Sequence, residues 1–113
     1  MRYALLVSID ESRELTDEQA GQQYAEFTAF QDEMEARGVM VARERLRPTS
    51  VATTVRVRDE GLVVADGPFA ETKEQIAGFY IIECEDLDQA IEIASRNPGA
   101  RYGTIEVRPV WEI

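Results

Sequence analysis

GFYIIEC, residues 78–84, carries apolar side chains on both of the alternating faces of an extended chain. Residues 2–9, RYALLVSI, have the same character. A strand that is apolar on both faces is covered on both sides, as the inner strands of a sheet are. The two runs are therefore predicted to be the central strands of one sheet.

Two amphipathic helices are predicted, one after each of these strands. The apolar stripe of the first is expected at Ala20, Tyr24, Phe27, Phe30 (or Gln31) and Met34, and that of the second at Leu87, Ala90, Ile91 and Ala94. The first covers residues 17–37, because Thr16 begins a capping box and Gly38 is a helix stop signal. The second begins after Asp86, whose side chain suits an N-cap, and ends at Asn97-Pro98-Gly99.

Further strands are predicted over residues 39–46, 51–58, 62–65 and 104–110. Asp59-Glu60-Gly61 joins two of them into a hairpin. With the hairpin at about 51–66 set aside, the order is βαββαβ, which is typical of the ferredoxin-like fold. The sequence thus predicts a single α+β domain over residues 1–113, with an antiparallel sheet, two helices on one face and an inserted β-hairpin.

Helices on one face leave the other face of the predicted sheet without a cover. An apolar sheet face is larger than most soluble monomers expose, so a second copy is the simplest cover. We therefore expect a homodimer with sheet facing sheet, and Trp111, Phe79 and Tyr80 are the candidate interface aromatics. The alternative is a monomer in which the hairpin and the C-terminal tail cover that face.

Composition excludes several classes of function. The net charge of −10 disfavours binding to nucleic acid or to an anionic membrane surface. The chain has no histidine and only one cysteine, Cys84, which is expected to be inert, so no metal site and no cofactor are predicted. No apolar run is long enough to span a membrane and no signal peptide is evident, which favours a cytoplasmic location.

One segment is basic in this acidic chain. Residues 37–58 hold six arginines and one acid, Glu44, so the segment carries +5 and the remainder carries −15. This pattern favours a small anionic ligand or an acidic partner surface. Charge balance between neighbouring strands is the alternative.

The segment between the hairpin and the second central strand, DGPFAETKE at residues 66–74, is the candidate functional loop. Gly67 permits a backbone angle that other residues avoid, and Pro68 fixes the next one. Thr72 is expected to cap a short helical turn over residues 73–76. Free backbone donors at such a helix start would make a small-anion site.

Residues 63–83, which include this loop, resemble the DGPF-domain branch of the YCII-related proteins. The likeness extends to residues 53–56, 86–90 and 107–110. It implies a dimeric α+β barrel of ferredoxin-like fold. The wider group has been proposed to be enzymatic, partly because of a histidine and an aspartate, and a chain without histidine cannot carry that proposal intact. Relatives of this branch also occur beside or fused to extracytoplasmic-function sigma factors.

Two residues of the loop are candidates for acid–base chemistry. Asp66 would act as a general base if burial raised its pKa, and Lys73 would act as an electrophilic or anion-binding group. The alternatives are that Asp66 accepts turn hydrogen bonds and that Lys73 forms an ion pair with Glu71 or Glu74. The candidate ligand-binding residues are Arg45, Arg56, Gly67, Pro68, Phe69, Thr72 and Tyr80, with core or interface packing as the alternative for Tyr80.

Three functions follow from these residues. The first is a dimer that binds a small anionic molecule beside residues 66–74, with a possible role as a regulatory accessory. The second is a cofactor-independent enzyme that uses Asp66 with Lys73 or Arg56. The third is a protein-interaction dimer linked to transcription regulation by sigma factors.

Overall fold

The computed structural model describes residues 1–112. Its elements are β1 (Arg2–Ile9), α1 (Asp17–Ala36), β2 (Met40–Arg45), a 3-10 turn (Thr49–Val51), β3 (Thr53–Arg58), β4 (Gly61–Asp66), β5 (Gln75–Glu83), α2 (Leu87–Arg96), α3 (Gly99–Tyr102) and β6 (Thr104–Pro109).

Four of the strands form one antiparallel sheet in the order β2-β5-β1-β6. The central strands are β1 and β5, as predicted from their two-sided apolar pattern. The architecture is α+β, with two main helices, and is consistent with a ferredoxin-like fold. Strand β5 begins at Gln75 and not at Gly78, because a bulge after Val7 lets β1 continue pairing as far as Gln75.

The core lies between one face of this sheet and the helices. Leu5 of β1 and Ile82 of β5 are completely buried, together with Met34 of α1 and Ile93 of α2. Each such side chain contributes roughly 1.5–3 kcal/mol through removal of apolar surface from water. Residues from both helices share this one cluster, so both helices lie on the same face of the sheet.

The predicted apolar stripes of the helices were partly wrong. In α1, Tyr24 was assigned to the buried face but is exposed, and only Phe30 and Met34 are buried. In α2, Leu87 and Ile91 are about half exposed, while Ile93 is buried. The reason is that the sheet covers only one end of α1 and a narrow side of α2, so helical spacing alone did not show where contact ends.

Strands β3 and β4 form a separate two-stranded sheet, the hairpin. Within the described part of the chain it makes no extensive contact with any other helix or strand. The radius of gyration is 16.1 Å, against about 13 Å for a compact domain of this length. The molecule is only 18 Å thick, which leaves no room for a third layer, so the hairpin projects beside the sheet and does not cover its open face.

Ionic contacts join α1 to α2 and α3. The carboxylate of Glu26 accepts hydrogen bonds from Arg101 and from the Tyr102 hydroxyl, the latter at 3.0 Å. The Tyr102 hydrogen bond, followed by those from Gln22 and Arg101, lowers the pKa of Glu26. Glu33 pairs in the same way with Arg96, whose hydrogen bonds lower the pKa of Glu33.

A first prediction concerns Gly103, where the chain enters β6. A Cβ atom there would lie 2.0 Å from the carbonyl oxygen of Ser8 in β1. Since that oxygen belongs to the backbone of the central strand, it cannot move aside without disturbing the sheet. We expect Gly103→Ala to lower the free energy of unfolding by about 3 kcal/mol or more in urea titration.

Gly21 is the matched control. It lies in α1, and a Cβ atom there would meet nothing within 4 Å. Gly21→Ala is expected to raise the free energy of unfolding by about 0.5–1 kcal/mol, because alanine favours the helix. Equal effects of the two substitutions would contradict the placement of Gly103 against β1.

A second prediction concerns pH. Because the folded state lowers the pKa of Glu26 below its ordinary value of 4.5, this group stabilises the fold above that pH and the contribution is lost as pH falls. We expect Glu26→Gln to reduce the loss of thermal stability between pH 5 and pH 3, measured by circular dichroism. Glu60→Gln at the hairpin turn is the control and should keep the wild-type profile; equal profiles for all three proteins would disprove the role of Glu26.

Candidate functional site

The Asp-Gly turn at the start of the candidate loop is tied to the beginning of β3. Gly67 has a φ of 94°, a backbone angle that residues other than glycine rarely adopt. Its N–H donates to the carbonyl of Ala52 at 2.8 Å, and its own carbonyl accepts from the Thr54 hydroxyl at 2.8 Å. These bonds hold the base of the loop against the base of the hairpin.

Phe69, two residues further on, lies over the hairpin. The Arg56 guanidinium is 4.9 Å from the centroid of the Phe69 ring, a cation–π contact. The ring is nonetheless 76% exposed, so it is not packed into a core. The loop and β3 are thus held together by an aromatic–arginine pair at the surface.

The second half of the loop differs from the prediction. Residues 71–74 form no helical turn, and the Thr72 hydroxyl donates instead to the carbonyl of Glu74. The Gln75 side-chain amide donates to the carbonyls of Ala70 at 3.2 Å and Thr72 at 2.9 Å. Because Gln75 is already in β5, the chain runs straight into the strand, and the predicted anion site at a helix start is wrong.

The two candidate acid–base residues are both exposed. Within residues 1–112, no hydrogen bond or ion pair joins Asp66 to Lys73. Lys73 acts electrostatically on Asp10, whose pKa is lowered first by hydrogen bonds from Ser12 and further by the charge of Lys73. The alternative for Lys73, an ion pair with Glu71 or Glu74, is not formed among the described residues.

The candidate ligand-binding residues divide between surface and core. Arg45 and Arg56 are both exposed. Arg45 ends β2 opposite Gly78 of β5, and Arg56 lies in β3 against Phe69 of the loop. Tyr80 is buried, and its ring meets that of Phe30 edge to face at 5.3 Å. This placement favours the packing role of Tyr80 over contact with a ligand at the loop.

The arginines divide into a group with and a group without an ion-pair partner. Arg2, Arg37, Arg43, Arg96, Arg101 and Arg108 each form an ion pair with a glutamate. No carboxylate of residues 1–112 pairs with Arg13, Arg45, Arg47, Arg56 or Arg58, so the basic segment is paired at Arg37 and Arg43 and unpaired in its later part. The chain has 22 acidic residues, so a shortage of carboxylates does not explain this.

The sheet face opposite the helices is apolar at its centre. Strand register places Ala4 and Leu6 of β1 on this face, opposite Ile81 and Phe79 of β5, and we call these four residues the open sheet face. All four are partly exposed. Charged side chains, including the ion pair between Glu106 and Arg108 on β6, border it.

Other candidate chemistry is less favoured. Cys84 is buried and unpaired, and burial raises the pKa of its thiol, which opposes the thiolate form that a nucleophile needs. In the described residues no group of three or more cysteine, aspartate or glutamate side chains is placed to hold a metal ion. Nor does any helix of that region combine the length and apolarity needed to cross a membrane.

Sequence reasoning missed the pairing of Arg56 with Phe69 and the exposure of the hairpin. An available signal for the first was the Gly67-Pro68 turn, which reverses the chain just before Phe69 and directs it back toward β3. For the second, alternation in the hairpin showed valines on both faces, but nothing in the sequence indicated that neither face would meet the core.

Comparison with known proteins supports the resemblance to the YCII-related proteins. A family model of the YCII-related domain matches residues 1–113. An uncharacterized protein of Rhizobium meliloti (strain 1021) is 39% identical in an alignment 114 residues long. The alignment covers 97% of this chain and 92% of that protein. The chain therefore belongs to the YCII-related family.

Proposed function

We propose that this protein is a homodimer that binds a small anionic molecule beside the Asp66–Glu74 loop. Arg45 and Arg56 would supply the positive charge, and the backbone of Gly67, Pro68 and Phe69 would form the adjoining wall. Thr72 would border the site at the far end of the loop.

The observation that carries this proposal is the state of Arg56 in β3. Its guanidinium lies against the Phe69 ring and forms no ion pair with residues 1–112. A guanidinium that stacks on a ring keeps its N–H donors in its own plane, where they match a carboxylate or a phosphate. The aromatic contact would hold the donors in place without consuming them.

Dimerisation is supported by the open sheet face. Ala4, Leu6, Phe79 and Ile81 form an apolar patch with a charged border, which is the pattern of many protein–protein interfaces. The loop is exposed in the single chain, and a second copy would give it an opposing wall. A deep, water-excluding site would then exist only in the dimer.

The enzymatic alternative would use Asp66 with Lys73 or Arg56 for proton transfer. It has less support, because Asp66 is exposed and a general base at neutral pH usually needs burial to raise its pKa. The alternative of a protein-interaction dimer is favoured by the exposed apolar side chains of the hairpin, and its link to sigma factors rests on the family resemblance alone.

A third prediction tests anion binding with inorganic phosphate as the probe. At ten times its dissociation constant, phosphate would stabilise the folded protein by about 1.4 kcal/mol, a rise of roughly 5 °C in melting temperature. We expect Arg56→Gln to abolish this rise in a thermal-shift assay at constant ionic strength, because it removes the guanidinium that faces the loop.

Arg58→Gln is the matched control for that assay. Arg58 is also exposed and lies in the same strand, but it donates only to the carbonyl of its neighbour Val57. It should keep the full phosphate effect, whereas general stabilisation by phosphate as a salt would affect both variants equally. Equal shifts in the wild type and in both variants would refute a site at Arg56.

A further inference from the structure

The face of the hairpin that carries Arg56 also carries aliphatic side chains. In the register of β3 and β4, Arg56 lies directly opposite Val63, and Thr54 lies opposite Ala65. Side chains that are opposite each other in an antiparallel pair share a face and have Cβ atoms about 4.5–5.5 Å apart. The guanidinium of Arg56 therefore has an aliphatic neighbour on the hairpin in addition to the Phe69 ring.

Both apolar neighbours of Arg56 are open to solvent. Val63 is 46% exposed, and Phe69 is 76% exposed although its ring lies against the guanidinium. An apolar group of a ligand that lay on these two side chains would remove their exposed surface from water, which stabilises the bound state. We call Arg56, Val63 and Phe69 the Arg56 patch.

The charges near this patch disfavour a small ion of high charge. Residues 53–74, which form the hairpin and the loop, contain three cationic and five acidic side chains, so their net charge is −2. A dianion would gain the attraction of one guanidinium and would meet repulsion from the surrounding carboxylates. A ligand with a single negative charge meets less of this repulsion.

Charge alone is also a weak source of affinity at this position. Arg56 is exposed, and an ion pair between exposed groups contributes little because water and dissolved salt screen it. The greater part of the binding free energy must then come from apolar contact. A flat aromatic ring suits that contact, since it can pack on the Phe69 ring and the Val63 side chain while its carboxylate meets the guanidinium.

We infer that the Arg56 patch binds a monocarboxylate with an aromatic body, a class of which benzoate is the simplest member. The carboxylate accepts hydrogen bonds from the Arg56 guanidinium in the paired geometry that these two groups favour. The ring of the ligand packs on Phe69 and Val63. This inference rests on the proposed anion-binding function and specifies the chemical class of the anion.

The fourth prediction tests this class with benzoate, acetate and benzamide as probes. Benzoate has both the ring and the charge, acetate lacks the ring, and benzamide lacks the charge. We expect the dissociation constant of benzoate to be about tenfold lower than that of acetate, because of the added aromatic contact. Benzamide should bind more weakly than benzoate. The measurement is a titration of the isotope-labelled protein at constant ionic strength, followed by two-dimensional amide NMR, in which the signals of Val63, Gly67 and Phe69 should shift.

Val63→Thr separates the apolar contact from the charge. Threonine suits a strand as valine does, so the hairpin is kept while part of the apolar surface is lost. We expect this variant to bind benzoate roughly twofold or more weakly and to bind acetate as the wild type does. Val64→Thr is the matched control, because Val64 is also exposed but lies on the other face of the same strand. It should bind both probes as the wild type does.

Arg56→Gln should remove the binding of both carboxylates, because neither would have a guanidinium to meet. Binding of benzoate that survived in this variant would lie elsewhere on the protein and would overturn the inference. Unchanged affinity of Val63→Thr for benzoate would also overturn it, because the ligand would then not rest on the Arg56 patch.

The probes also separate this inference from the proposed function. Equal affinities for benzoate and acetate would overturn the aromatic class and leave the anion-binding proposal standing. Equal affinities for benzoate and benzamide would overturn the role of the charge in the patch, and with it the inference. If none of benzoate, acetate and phosphate binds, both the inference and the proposed function fail.

Discussion

The antiparallel pairing of β1 with β5 is the contact on which the rest of the molecule depends. Each strand has an apolar side chain on both faces, so the pair binds the helices on one side and presents the open sheet face on the other. Strands β2 and β6 are added at the edges of this pair. The candidate loop is positioned by the same contact, because it ends where Gln75 begins its pairing with Ile9.

Much of the fold could be predicted from local pattern because pattern and packing agree there. The two-sided apolar runs identified the central strands, and the capping box at Thr16 and the N-cap at Asp86 identified where the helices begin. Errors arose where tertiary contact decides the outcome. The exposure of Tyr24 depends on how far the sheet extends beneath α1, and the early start of β5 depends on a bulge in β1. The residues next to these positions in the sequence indicate neither feature.

The candidate site was less predictable than the fold for a related reason. Thr72 followed by a lysine and a glutamate is typical of a helix start. However, Gln75 and Ile76, which the helical turn would have included, belong to strand β5. The contact between Arg56 and Phe69 joins residues thirteen positions apart across a turn, so no short motif reports it. What sequence did identify was the segment, since the Asp66–Glu74 loop lies against Arg56, which has no carboxylate partner in the described chain.

The separation of the hairpin from the main sheet also gives the molecule two levels of local stability. No ladder hydrogen bond connects β3 or β4 to the four-stranded sheet, so the hairpin can open while the core stays closed. Amide protons of the two sheets therefore belong to different cooperative units of hydrogen exchange. Those of the central strands report global unfolding, whereas those of the hairpin report the local environment of the one element that carries both the loop and an uncovered apolar surface.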